Sequence, residues 1–122
     1  MMRIIKLKEN REFRRAYNRG KVFVTPFAVI YVTKNRTGDV RLGITAGKKI
    51  GKAVKRNRAK RVITAAFSSV LPDIQNGFDF VIVARTRILN VKSTELALIF
   101  YKSLKTAGAL KNDNEENTNI SY

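Results

Sequence analysis

Between Lys52 and Leu71 the apolar residues keep one helical spacing. Ala59, Val62, Ile63, Ala66, Phe67 and Val70 fall at i, i+3, i+4, i+7, i+8 and i+11, a continuous stripe that a helix must lay against a core. At about 100° per residue, Asn57, Arg58, Arg61 and Thr64 project from the opposite side. One helix therefore separates a core face from a cationic face. The cationic face is extreme: Lys48 to Arg61 carries eight cations in fourteen residues, and no Asp or Glu occurs from Val40 to Pro72. Solvated helix faces usually mix Lys with Glu at i,i+4. Lys52, Lys55 and Arg56 also crowd the opening turns, where the helix dipole makes each exposed cation cost about 0.3–1 kcal/mol. A local rule broken repeatedly in one place marks a site. Net charge is +16 over 122 residues, and the polyanion that best answers such a surface is nucleic acid.

The rest of the chain supplies what the helix packs on. Residues 9–19 read as a short helix, with Phe13 and Tyr17 at i and i+4 and Gly20 where it would end. Phe27–Thr33 alternates as a strand, with Phe27, Val29, Tyr31 and Thr33 on one face and Ala28, Ile30 and Val32 on the other. Lys34–Asp39 is turn chemistry, and Val40–Ala46 is expected to return as the second arm of a hairpin, with Leu42 and Ile44 opposite Arg41, Gly43 and Thr45. Phe78–Ala84 is apolar apart from Asp79, as in a central buried strand. Thr94–Ala107 reads as a last helix capped by Ser93, with Leu96, Ile99, Phe100 and Leu104 inward. The expected fold is α+β: one compact α/β sandwich, a small mixed sheet packed with about three helices. The domain spans 1–109, and the tail 110–122, rich in Asn and acids, is expected to be disordered.

The chain has neither cysteine nor histidine, which removes disulfides, Cys-ligated zinc and the usual acid–base catalyst near neutral pH. The nine carboxylates are scattered without metal-ligand spacing, so neither a catalytic residue nor a metal on the protein is expected. No apolar run approaches the ~20 residues that span a bilayer, and the first ten residues do not read as a secretory signal. The expected setting is cytoplasmic, with no membrane partner. Gly43, Gly47 and Gly51 fit either turn geometry before a helix or a backbone that lets Lys48 and Lys49 approach a phosphate. Periodicity places Phe13, Tyr17, Val29 and Tyr31 in a core; the alternative is a shallow groove where unpaired bases stack on rings beside cations.

The run Arg41–Arg61, RLGITAGKKIGKAVKRNRAKR, resembles the protein subunit of bacterial ribonuclease P. Arg56-Asn57-Arg58 followed by Lys60-Arg61 matches that family's RNR motif, preceded by KKIGKAV. Leu7–Gly20 (LKENREFRRAYNRG) is similar to the family's first helix and Gly77–Arg85 (GFDFVIVAR) to a characteristic strand; the likeness covers residues 5–107. It implies a left-handed βαβ crossover, an exception to the usual handedness. It also implies an endoribonuclease of two parts, whose large RNA subunit performs the cut that removes the 5′ leader of precursor tRNA and binds most of the Mg²⁺. The partners implied are ribonuclease P RNA and precursor tRNA, with no obligate protein partner. Carried onto this chain, the RNA-binding residues are Lys48, Lys49, Lys52, Lys55, Arg56, Asn57, Arg58, Lys60 and Arg61. The leader groove takes Phe13, Arg15, Tyr17, Val29, Tyr31 and Thr45. The family usually has Ser-Lys-Lys before the helix, where this chain has Gly47-Lys48-Lys49. Two rivals are a general RNA-binding module, which would not distinguish precursor from mature tRNA, and a protein-only nuclease, which needs a carboxylate cluster.

Overall fold

A computed structural model describes residues 4–111. In chain order these form β1 (Ile4–Lys6), α1 (Asn10–Arg19), β2 (Lys21–Val24), β3 (Ala28–Lys34), β4 (Val40–Thr45), α2 (Ala53–Val70), β5 (Phe78–Ala84) and α3 (Ser93–Ala107). The five strands make one mixed sheet in the order β1-β4-β5-β3-β2. β1 and β5 run parallel to β4, while β3 is antiparallel to β5 and to β2. The crossover unit is β4-α2-β5.

β5 holds the centre because both of its faces are apolar enough to be covered. Phe78, Phe80 and Ile82 point to one side, with Ala28, Ile30 and Val32 of β3 and Val40 and Leu42 of β4. Against them lie Ala59, Ile63, Ala66, Phe67 and Val70 of α2 and Leu96, Phe100 and Leu104 of α3. The rings of Phe67 and Phe80 meet edge-on at 5.3 Å. On the other side Val81 packs with Leu7 and Ala16, joined by Phe13, Tyr31 and Val83. The result is three layers: α1, the sheet, then α2 with α3.

The expected hairpin between the third and fourth strands does not form. β5 lies between them, bonded to both, because a doubly apolar strand buries more with two neighbours than β3 and β4 would against each other. The turn chemistry survives: Asn35 Oδ1 accepts from the backbone of Thr37 and Gly38, and the loop closes over β5 through Asn35 N–H to Gly77 O and Gly77 N–H to Asp39 O. Phe27 also departs from expectation. It precedes β3 and packs with the α2–α3 side, since Thr25 Oγ1 accepts from the N–H groups of Phe27 and Ala28 and bends the chain there. Lys92, not Ser93, occupies the N-cap of α3, and Val62 and Ile99 are half-buried rather than core. Leu110 is buried and bridges to Ile74; the rest of the expected tail, 112–122, lies outside the described residues.

Candidate nucleic-acid interface

α2 begins without help. Its N-cap, Lys52, makes no side-chain cap and its first turn has no acid; Gly51, at φ +136°, makes the turn into it, where a side chain is strained. Lys55 packs its stem along Gly51, and Arg56 Nη1 donates to Gly51 O at 3.1 Å. Asn57, Arg58, Lys60 and Arg61 are exposed, as are Lys48 and Lys49 in the short 3₁₀ turn ahead of the helix. Among the described residues no carboxylate lies within ion-pair distance of any of these cations. An open cationic surface remains, held by an apolar stripe that fixes which way it faces.

The aromatic residues meet on the other side of the sheet. Tyr17 and Tyr31 contact edge-on at 4.9 Å, and Phe13 lies 6.5 Å from Tyr17. Tyr17 is 38% exposed, whereas Ala16 beside it is buried. Phe13, Tyr17 and Thr45, with Asn10 and Arg14, bound an open depression of about 560 Å³. Val29 is half-buried on the Tyr31 side of the sheet, opposite Val83. Thr45 ends β4, three residues before Lys48 in the chain. Gly43 allows α1 to sit this low: a Cβ there would stand 2.6 Å from the Phe13 ring.

Beneath α1 lies a charged network that sequence reasoning did not anticipate. Asp79 is fully buried in β5 and accepts from Arg41 Nε at 2.7 Å, Arg41 Nη2 at 2.8 Å, Asn35 Nδ2 at 2.8 Å and Arg15 Nη2 at 3.3 Å. Arg41 reaches Glu12 of α1 at 2.6 Å, and Glu12 also accepts from the N–H of Glu9 and of Lys8. Burial by itself would raise the Asp79 pKa; the hydrogen bonds of Arg41 and Asn35, the Arg41 charge and Arg15 outweigh it and hold the carboxyl below its ordinary value. Burial likewise pushes Glu12 upward, and the backbone donor at Glu9 and the Arg41 charge bring it below. The network clamps α1 to the sheet. It also turns Arg15 under the helix toward Asp79. The available signal was an acid in an otherwise apolar strand, with Arg41 at matching parity on β4. Asn10 and Arg14 of the depression carried no such signal. Among the described residues no group of three or more His, Cys, Asp or Glu stands together, and no helix is long and apolar enough to cross a membrane.

Residues 1–108 match the family model described as Ribonuclease P. The ribonuclease P protein component of Clostridium botulinum (strain Loch Maree / Type A3) is 42% identical over 106 residues, 84% of this chain and 94% of that protein. The structure of the Staphylococcus aureus RNase P protein superposes with a TM-score of 0.74 at 29% identity, covering 87% of this chain and 97% of that one. The RNase P protein from Thermotoga maritima gives 0.72 at 28% identity, over 83% and 96%.

Proposed function

The chain belongs to the ribonuclease P protein family, and from that premise we propose that its two open surfaces divide the work. Membership makes it the protein subunit of the endoribonuclease that processes the 5′ end of tRNA, a partner of ribonuclease P RNA. The face of α2 and its leading loop (Lys48, Lys49, Lys52, Lys55, Arg56, Asn57, Arg58, Lys60, Arg61) grips the RNA subunit. Arginine forks clamp phosphates bidentately and lysines act as point charges. The depression between α1 and the sheet takes the single-stranded leader of precursor tRNA. Its bases stack on Phe13, Tyr17 and Tyr31, with Val29 and Thr45 forming the wall. Arg15 acts from below, by fixing the height of α1.

One observation carries this reading: among the described residues the cations of α2 have no acid within ion-pair distance, while Glu12 and Asp79 are held by Arg41 on the far side of the sheet. Glu12 and Asp79 are thereby unavailable for hydrolysis, which supports leaving catalysis, and the Mg²⁺ that serves it, mainly to the RNA. The protein helps by screening phosphate repulsion, so that RNA sites fill at lower Mg²⁺. The setting is the cytoplasm, where precursor tRNA is made.

The test is reconstitution with a bacterial ribonuclease P RNA at low Mg²⁺, following precursor turnover. Arg58→Ala with Arg61→Ala should weaken assembly and flatten the dependence of log affinity on log salt by about 0.7–0.9 per lost phosphate contact. Unchanged binding across the titration refutes the assigned face. Specific leader removal by the protein in RNA-free buffer refutes the division of labour.

A further inference from the structure

A second depression, of about 360 Å³, shares Phe13 as a wall with the leader groove. It is a notch at the edge of the sheet. β1 pairs with β4 only as far as Lys6 opposite Leu42, and Leu7 N–H to Leu42 O is the last bond of that edge; β4 runs on to Thr45. In-plane backbone groups alternate sides along a strand. Since Leu42 O faces β1, the N–H and C=O of Ile44 face the same way, where no backbone of the described residues meets them. The walls are Ile4, Leu7 and Phe13; the rim is Lys6 of β1 with Lys60 and Thr64 of α2, and among the described residues no carboxylate lines it.

We propose that this notch receives one unpaired nucleotide of the RNA subunit, base inward and phosphate between Lys6 and Lys60. This rests on assigning α2 to the RNA subunit. An apolar slot suits a flat heterocycle, which single-stranded RNA can splay out. A lone outward N–H and C=O pair matches the donor–acceptor edge of a base. The same edge is too short for a peptide strand, which needs three residues or more. The RNA subunit is favoured over the leader because Lys60 and Thr64 continue the ridge of Arg56 at i+4 and i+8, on the helix assigned to that RNA. Phe13 is then a partition, one side toward each RNA.

Thr64 is exposed on α2, so Thr64→Trp fills the notch from outside the core. In the reconstituted holoenzyme it should weaken RNA-subunit affinity about tenfold, as expected for one lost base contact, with the salt slope unchanged because Lys6 and Lys60 at the rim still hold the phosphate while the base is expelled. One base of the RNA subunit shielded from base-specific chemical probes by wild-type protein should become reactive. Lys6→Ala should instead lower the slope by about 0.7–0.9, and it decides the matter alone if circular dichroism shows Thr64→Trp unfolded: an unchanged slope then overturns the proposal. Wild-type affinity and wild-type base reactivity in a folded Thr64→Trp protein also overturn it. So does a loss confined to precursor over mature tRNA, which would assign the notch to the leader. If Arg58→Ala with Arg61→Ala weakens assembly and Thr64→Trp does not, this inference fails alone; if neither does, the assignment of α2 fails with it.

Discussion

Asp79→Asn tests the clamp under α1 while keeping the shape of the side chain. The amide can accept through one oxygen but turns an NH₂ toward guanidinium donors, so Arg41 or Arg15 faces a donor across a dry contact. Removing one member of a buried ion pair costs about 3–5 kcal/mol. Arg41 keeps Glu12 at 2.6 Å, and Arg15 has 40% of its side chain in solvent, so the lower end applies, about 3 kcal/mol. With a urea m-value near 2 kcal/mol/M, that moves the unfolding midpoint down by roughly 1.5 M. The paired change Asp79→Leu with Arg41→Met should cost less than Asp79→Asn alone, because no buried charge is left without a partner. Acid supplies an independent reading. Both carboxyls sit below their ordinary values of 3.8 and 4.5, so their contribution is complete above those values and is lost as pH falls through the range beneath them. Asp79→Asn should remove the Asp79 share of that acid loss. A midpoint within a few tenths of molar of wild type at pH 7, together with an unaltered acid profile, would show that the network does not hold α1 down.

Tyr17→Ala removes an exposed ring; in the holoenzyme it should weaken precursor binding by about 1–3 kcal/mol, the worth of one stacked base, and mature tRNA binding much less. An equal loss for both, or a collapsed fold by circular dichroism, returns Tyr17 to a core role. Gly43→Ala drives a methyl into the Phe13 ring and should cost about 1–3 kcal/mol by denaturation, with precursor discrimination falling alongside; wild-type stability would mean that α1 moves freely over β4.

What the sequence made legible was what depends on neighbours along the chain. The stripe from Ala59 to Val70 predicted the helix to within a residue of each end. Alternation from Ala28 to Val32 predicted the two faces of β3 but not which of them is the more buried, and the apolar run of β5 predicted its central place. Pairing was not legible, because which strand sits beside β3 is decided by competition among distant segments. β1 and β2, with three and four residues, are too short to show a period; they exist because β4 and β3 offer them an edge. Phe13, Tyr17 and Tyr31 could be core or groove on spacing alone, and only the height of α1, set by Gly43 and the Asp79 network, leaves Tyr17 partly in solvent. The handedness of the β4-α2-β5 connection leaves no trace in composition or period.

β5 serves two masters on alternate residues. Asp79 and Val81 tether the element that bears the rings, while Phe80 and Ile82 seat the helix that bears the guanidinium groups. Neither element can slide past the other without tearing the middle of the sheet. On the reading proposed above, the separation between a leader in its groove and the catalytic RNA is therefore built into a single backbone, and the subunit works as a fixed gauge rather than a hinge.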